Sequence, residues 1–302
     1  MRRDHARALD AVDRDLARLG RSPVSRKDVA RDARAFLRTV DRPLTKIDQD
    51  DVRAFLADCH ARGLTASTVS GYLSHVRMFF TALERLGLTR FNPTDGVSLP
   101  RPVPRPYRVL SEEEVRRLLG AALDVKPGDP RRLAKARRDR AALELLYGLA
   151  MRAVEVRSAR LLDLNLAEGF LLVRRAKRGQ PERLPLPPAS VPHLRAWVES
   201  RPLLVHGQDE GRLIVTRDGL PLRQPNALNK ILDRIAKRAG VTAHPHALRR
   251  GVATHLVRAG TPIVAVQHLL GHAQLNTTAI YVRVDRGDLR RAIDTLDREQ
   301  SE

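Results

Sequence analysis

The chain has 302 residues, of which 42% are hydrophobic and 30% charged, and its single cysteine is Cys59. This length is enough for two domains of ordinary size. No apolar run approaches the roughly 18 residues that a membrane span needs, and the arginine-containing N-terminus lacks the apolar core of a signal peptide. We therefore expect a cytoplasmic protein with no membrane role, no internal disulfide and no cysteine-based zinc site.

The charge balance is strongly basic, with a formal net charge of +20. Residues 1–100 carry 18 Lys/Arg against 13 Asp/Glu, and residues 101–302 carry 37 against 22. Because a positive excess attracts polyanions, salt-dependent binding to nucleic acid is expected, although an arginine-rich proteome would raise the charge without such a role. Aromatic residues make up only 4%, too few for stacking on unpaired bases to dominate. The composition therefore favours duplex DNA as the partner.

Apolar residues spaced by three and four predict an all-helical first domain over residues 1–92. The expected helices cover residues 4–19 and 28–40, then run from an N-cap at Asp48 to a stop at Gly63, and finally over 66–86 with a stop at Gly87.

A linker follows over residues 93–108. Its prolines are Pro93, Pro100, Pro102, Pro104 and Pro106. Such a density excludes a helix or a central strand and favours an extended connector between domains. Arginines at 101, 105 and 108 lie in the same stretch, so the linker either contacts phosphates or is a solvated basic segment.

The second domain, residues 109–302, is expected to be mixed α/β and mainly helical, with a small antiparallel sheet. A capping box of Ser111 and Glu114 opens its first helix. Further helices are predicted over residues 131–148, from Pro188, over 225–239, after an N-cap at Thr261, and from about 286. Strands over 170–173 and 182–186 form a hairpin around a basic turn, and a short strand is expected over 212–216.

Several chemically active side chains stand close together late in the chain. His246 and Arg249 are three residues apart, so on a helix both lie on one face and can contact the same ligand. A Leu-Leu-Gly-His motif ends at His272, and Thr-Thr-Ala-Ile-Tyr ends nine residues later at Tyr281. Upstream, the segment Leu-Ala-Met-Arg-Ala-Val-Glu contains Arg152. A lone His-x-x-Arg is typical of structural or surface residues, but the ordered set indicates a shared site.

In this order and at these separations, the motifs resemble the signature of the tyrosine recombinase (phage integrase) family, over roughly residues 105 to 290. The resemblance implies that His246 and Arg249 are the family's His-x-x-Arg pair. It also implies that His272 is the histidine of the Leu-Gly-His motif and that Tyr281 is the nucleophile. The helical first domain with its basic linker is similar to the family's core-binding domain, which binds DNA.

Two further positions complete the family pattern. Arg152 matches the first catalytic arginine, and Lys177, the only lysine of the predicted hairpin, matches the catalytic lysine. The chain departs from the commonest first motif, Thr-Gly-Leu-Arg-x-Ser-Glu, at Leu149, Ala150 and Val154. The change at Ala150 raises the question of how the backbone approaches the phosphate.

The chemistry explains why these residue types are needed. A phosphodiester attacked by a phenol gains negative charge on its non-bridging oxygens, and the guanidinium groups of Arg152 and Arg249 are suited to clamp it. Tyr281 has an ordinary pKa of about 10 and must lose its proton as it attacks, so His246 is the candidate base.

The remaining roles concern the leaving group and the orientation of the site. Lys177 would protonate the departing 5′ oxygen, His272 would hydrogen-bond the phosphate, and Glu155 would orient Arg152. The resulting 3′-phosphotyrosyl link preserves the energy of the diester bond, so no ATP, cofactor or metal is expected. A zinc site at His268 and His272 is the competing interpretation of those two histidines, but the glutamate of His-Glu-x-x-His is absent.

The sequence thus predicts a Xer-like site-specific DNA recombinase with catalytic residues Arg152, Lys177, His246, Arg249, His272 and Tyr281. The resemblance implies a homo-tetramer on two DNA sites, or a hetero-tetramer with a related recombinase. A type IB topoisomerase-like enzyme and a non-catalytic DNA-binding member of the fold are the alternatives. The biological task is either chromosome-dimer resolution or integration of a mobile element, and the lack of an extra N-terminal arm-binding domain favours the first.

Overall fold

The computed structural model describes residues 2–99, 108–126, 128–174 and 181–271. These belong to two compact units, one within residues 1–106 and one within residues 107–302. The described part of the first unit is helical, with α1 (Arg3–Arg18), α2 (Pro23–Val40), α3 (Gln49–Ala61) and α4 (Ala66–Arg85). Helix α2 begins before the predicted residue 28, because Ser22 accepts a hydrogen bond from the Ser25 amide and Pro23 occupies the first helical position.

Aromatic side chains hold the first unit together. The Phe36 ring is fully buried and meets Phe55 and Phe80 edge-on, with ring centroids 5.2 Å and 5.8 Å away. The predicted N-cap at Asp48 is confirmed, since its carboxylate accepts hydrogen bonds from the Asp50 and Asp51 amides. The capping and the apolar spacing of the sequence therefore account for this unit.

The second unit contains helices and one small sheet. The helices described there are α5 (Glu112–Leu123), α6 (Pro130–Leu143), α7 (Ala153–Ser158), α8 (Val191–Ser200), α9 (Ala227–Ala239), α10 (Pro245–Arg258) and α11 (Ile263–Leu270). The strands are β1 (Leu164–Asn165), β2 (Phe170–Arg174) and β3 (Pro181–Pro185), antiparallel in the order β1-β2-β3. The predicted mainly helical fold with a small antiparallel sheet is confirmed.

The predicted strand over residues 212–216 is wrong. The chain makes only isolated bridges there, between Arg160 and Arg212 and between Val215 and Pro221. Side chains take the carbonyl groups that a neighbouring strand would need. The Trp197 indole donates to the Leu213 carbonyl at 2.9 Å, and the Arg201 guanidinium donates to the Arg212 carbonyl at 2.8 Å.

Two helix boundaries also differ from the prediction. Helix α6 ends at Leu143, and the chain continues as a single π-helical turn, Glu144–Gly148. Helix α11 begins at Ile263 with Pro262 as its N-cap, one residue later than expected. The hairpin turn at 175–180 and the predicted C-terminal helix lie outside the described residues. Within the described ranges, no helix has both the length and the apolar character that crossing a bilayer requires.

Candidate active site

Arg152 is placed by a tight backbone turn after the π-helical turn of residues 144–148. Ala150 adopts a left-handed conformation with φ of 48°, and its side chain is fully buried. The Met151 amide donates back to the Leu145 carbonyl at 3.1 Å, which closes the turn. Arg152 then stands as the N-cap of α7, with its side chain 32% exposed. Its guanidinium is therefore held at the surface of the unit on a rigid segment.

Two groups fix the orientation of Arg152. The buried carboxylate of Glu155 accepts from the Arg152 amide and from Nη1, both at 2.8 Å, so the predicted contact is present. Nη2 donates to the Gly271 carbonyl at 3.1 Å. Charge-assisted bonds of this kind are stronger than neutral ones, so the guanidinium does not have to reorganise when it meets an anion.

Arg249 is buried, with 4% of its surface exposed, on α10. Its Nη1 donates to the Ala150 carbonyl and its Nη2 donates to the Leu270 carbonyl. Arg152 and Arg249 thus bind the adjacent carbonyls of Gly271 and Leu270, where α11 ends. The structure brings the two predicted clamp residues together at one point.

His246 lies in the first turn of α10, on the same helix as Arg249. Burial lowers the pKa of its imidazole, and the electrostatic effects of Arg250, His244, Arg249 and Arg152 lower it further. The side chain is therefore held neutral at neutral pH, the state in which it can accept a proton.

Lys177, His272 and Tyr281 lie outside the described residues, so their assignments stay predictions. The neighbouring residues are described. Arg174 ends β2 before Lys177, and Gly271, with φ of 56°, ends α11 directly before His272. Among the described residues, no group of His, Cys, Asp and Glu side chains is arranged to hold a metal ion.

Three histidine contacts were not foreseen from the sequence. His244 caps α10, because its Nδ1 accepts from the Ala247 amide at 3.2 Å. His255 Nδ1 lies 2.9 Å from the Tyr147 hydroxyl, which joins α10 to the π-helical turn. His268 Nε2 lies 2.9 Å from Glu182 Oε1, which joins α11 to β3. Pro245 at the first helical position is a signal for the capping role of His244, whereas no local signal indicates the contacts of His255 and His268.

Two arginines of α6, Arg138 and Arg140, are engaged inside the second unit. Arg138 is 2% exposed and paired with Asp139 at 2.6 Å. Arg140 donates to Glu144 at 2.6 Å and to the Leu119 carbonyl at 2.8 Å. These two side chains are internal supports, because each satisfies a buried or half-buried acceptor.

The chain is similar to known proteins over most of its length. Residues 108–287 match the phage integrase family, and residues 13–87 match its N-terminal SAM-like domain. Tyrosine recombinase XerC of Alcanivorax borkumensis is 34% identical over 255 residues, which cover 84% of this chain and 80% of the relative. Tyrosine recombinase XerD of Rhizobium meliloti is 34% identical over 258 residues, which cover 84% and 81%.

Solved structures show the same fold at low identity. A lambda integrase dimer bound to a COC′ core site matches with a TM-score of 0.70 and 20% identity, over 93% of this chain and 96% of that one. The XerH recombinase bound to a palindromic difH substrate matches with a TM-score of 0.71 and 21% identity, over 92% and 81%.

The fold and the paired arginines define the class of enzyme that transfers DNA strands through a tyrosine. The family match covers more than half of the chain, and the curated relatives are aligned over most of their length. The chain therefore belongs to the phage integrase family, as a Xer-like tyrosine recombinase.

Proposed function

We propose that the chain cuts and rejoins duplex DNA at specific sites through a covalent link between Tyr281 and a 3′ phosphate. In this proposal residues 1–92 bind DNA, residues 93–108 connect the domains, and residues 109–302 carry the chemistry in the cytoplasm. The observation that carries the proposal is the convergence of Arg152 and Arg249 on the carbonyls of residues 271 and 270. That point directly precedes His272 in the chain.

The proposed reaction begins with attack of the Tyr281 phenol oxygen on phosphorus. Neutral His246 accepts the phenolic proton, and the P–O5′ bond breaks as the P–O(Tyr) bond forms. Arg152 and Arg249 stabilise the charge that develops on the non-bridging oxygens, and each such preoriented donor contributes about 3 kcal/mol. Lys177 donates a proton to the 5′ oxygen, and His272 hydrogen-bonds the phosphate. Attack by another 5′ hydroxyl reverses the steps and joins new partners.

The proposal is tested with a nicked suicide DNA, from which the short 5′-hydroxyl fragment diffuses away after cleavage. The wild-type chain should accumulate a covalent complex that survives denaturing electrophoresis, and Tyr281→Phe should form none. A Tyr281→Phe variant that still becomes linked to DNA, or a wild-type chain that never does, would contradict the mechanism. DNA fragments selected by binding to the wild-type chain supply the cognate site for the assay.

The names of the relatives favour recombination over simple relaxation of supercoils. A recombinase exchanges partners between two cognate sites, whereas a type IB topoisomerase-like enzyme relaxes a plasmid that lacks any such site. We expect joined products from two-site DNA and no relaxation of site-free plasmid.

The proposed assembly is a tetramer on two DNA sites, formed by four copies or together with a related recombinase. The chain is equally similar to one relative named XerC and one named XerD, at 34% identity to each. Light scattering of the purified chain with two-site DNA should give the mass of four copies. If the mass corresponds to two copies and reaches that of a tetramer only when a second recombinase is added, the hetero-tetramer is supported.

A further inference from the structure

The contact between Glu182 and His268 joins two elements that each lead to a predicted catalytic residue. Glu182 lies on β3, five residues after Lys177, and His268 lies on α11, four residues before His272. His268 Nε2 is 2.9 Å from Glu182 Oε1. The Glu182 side chain is 17% exposed and that of His268 is 68% exposed. The contact therefore runs from a mostly covered side chain on β3 to an exposed one on α11.

On the β3 side, Glu182 is held by strand pairing, and its neighbour Arg183 packs on an aromatic ring. Glu182 is paired in register with Val173 on β2, and the neighbouring Arg183 guanidinium covers the Phe170 ring at 4.5 Å. Arg174, the last described residue before the turn, donates to Asp163 at 2.9 Å, and the Asp163 side chain is 2% exposed. Both strands that flank residues 175–180 are therefore anchored close to the turn.

The α11 end of the bridge rests on the arginine cluster. Arg152 binds the Gly271 carbonyl and Arg249 binds the Leu270 carbonyl, so the last turn of α11 is tied to both predicted clamp residues. Through His268, the same helix is tied to Glu182. The described contacts thus form a continuous path from the arginines to the strand that follows Lys177.

We propose that Glu182 and His268 are positioning residues, which set the place of the Lys177 hairpin relative to the arginine clamp. This inference rests on the proposed function and deepens it. The pair acts through Lys177 on one step, protonation of the 5′ oxygen as the P–O5′ bond breaks. A contact whose histidine is 68% exposed contributes little to stability, so this one matters more for geometry than for folding.

The test compares two nicked suicide substrates, one with a normal phosphodiester and one with sulfur in place of the bridging 5′ oxygen. A thiolate leaves without protonation, because a thiol has a pKa of about 8.5, far below that of an alcohol. Glu182→Ala and His268→Ala should each slow single-turnover cleavage of the oxygen substrate about tenfold or more. Each should stay within about twofold of wild type on the sulfur substrate. Lys177→Ala should show the same selectivity with a larger loss.

The matched control is Glu168→Ala. Glu168 lies at the end of β2 opposite to the Lys177 turn, and it accepts a hydrogen bond from Asn165 at 2.9 Å. Its loss should leave cleavage of both substrates unchanged. Because His268 and Glu182 act together, the double variant Glu182→Ala/His268→Ala should be no slower than the slower single variant.

The inference is overturned if a variant slows cleavage of both substrates equally or of neither. It is also overturned if the fold-reduction in the double variant equals the product of the two single reductions. The thermal unfolding midpoints of His268→Ala and Glu168→Ala should match, since both substituted side chains are exposed. If wild type forms no covalent complex with either substrate, the proposed function itself fails and the inference falls with it. Slower cleavage of the oxygen substrate alone supports both the proposed function and the positioning role of Glu182 and His268.

Discussion

Arg249 has two roles, so its substitution is expected to have two separate effects. It is almost fully buried, and its donors satisfy the carbonyls of residues 150 and 270, so it supports the fold as well as the proposed clamp. Removing one partner of a buried charged contact costs several kcal/mol, because the acceptors left behind lose their hydrogen bonds. Loss of activity in Arg249→Ala therefore has to be separated from loss of the folded chain.

Arg249→Lys separates these effects. Lysine keeps the positive charge but replaces the planar fork with a single point charge. We expect the rate of covalent complex formation to fall about a hundredfold, within the range for loss of one preoriented donor. Affinity for the uncleaved site should change by less than about threefold, because one phosphate contact among many is weakened. Equal losses in binding and cleavage would contradict a role at the transition state.

The lowered pKa of His246 predicts how cleavage depends on pH. An imidazole accepts a proton only when it is neutral, and burial together with the neighbouring Arg250, His244, Arg249 and Arg152 holds the pKa of His246 below its usual 6.5. The cleavage rate should therefore stay level as pH falls to 6.5 and decline only at lower pH. Single-turnover rates between pH 5 and 8 measure this profile, and a decline that begins above pH 6.5 would rule out His246 as the base.

The same shift has a consequence for stability. Below pH 6.5 the unfolded chain protonates this histidine while the folded chain resists protonation, so the unfolded state binds more protons. The free energy of unfolding should therefore decrease as pH falls from 6.5 through the lower folded pKa. His246→Gln should remove that part of the pH dependence, as measured by denaturant titration, and should also remove the acidic decline in cleavage.

The backbone conformation of Ala150 could not be predicted from its residue type. The family motif has glycine there, and alanine suggests a changed approach of the backbone to the phosphate. The backbone nevertheless adopts φ of 48°, and the Ala150 carbonyl accepts from Arg249. A left-handed alanine costs about 1 kcal/mol, and burial of its methyl group offsets about 0.8 kcal/mol of that cost. The departure from the motif is therefore compatible with the glycine-like turn.

At the scale of elements, local signals predict most of what is seen. Ser111, Glu114 and Asp48 mark helix starts because capping hydrogen bonds form within four residues. The hairpin of β2 and β3 is predicted from two short strand-like segments on either side of a basic turn. The predicted strand over 212–216 does not form, because Trp197 and Arg201 bind carbonyl groups of that segment. No local sequence pattern reveals these contacts.

In the candidate site too, some features are predicted from the sequence and others are not. Helical spacing predicts that His246 and Arg249 share a face, and the resemblance supplies Arg152. The carbonyls that hold the arginines, and the Glu182–His268 bridge, connect residues far apart in the chain. Such contacts form only when the second unit folds, so a sequence pattern cannot specify them.

The turn after residue 216 gives a prediction at this scale. Gly219 has φ of +79°, and an added Cβ would lie 2.3 Å from the Leu204 carbonyl oxygen and 2.7 Å from the Val205 Cα. These are backbone atoms that cannot move aside cheaply, so Gly219→Ala should destabilise the chain by about 3 kcal/mol or more.

Gly211→Ala is the matched control for this glycine. It has a similar φ of +67° but nothing within 4 Å of an added Cβ, so it should cost only about 1 kcal/mol for the strained backbone. Denaturant unfolding of both variants gives the comparison. Equal losses would mean that backbone strain, and not the contact with residues 204 and 205, makes glycine necessary at 219.

At the scale of the whole molecule, the positive charge is spread over both parts of the chain, +5 over residues 1–100 and +15 over residues 101–302. Part of this charge is already used inside the structure, because Arg138 and Arg201 are buried and paired with Asp139 and Asp209. Net charge therefore overstates the number of phosphate contacts, whereas the salt dependence of binding counts them directly. Each contact contributes about 0.9 to the slope of log K against log salt.

We expect a slope between about −5 and −10 for the wild-type chain on duplex containing its site, measured by fluorescence anisotropy from 50 to 300 mM salt. Arg249→Lys should leave this slope unchanged, because the substitution keeps the charge that displaces a counterion. Arg152→Ala should reduce its magnitude by about one, because a phosphate contact is lost. A wild-type slope near zero would mean that the basic composition serves something other than the DNA backbone. An unchanged slope in Arg152→Ala would mean that this guanidinium does not contact a phosphate in the uncleaved complex.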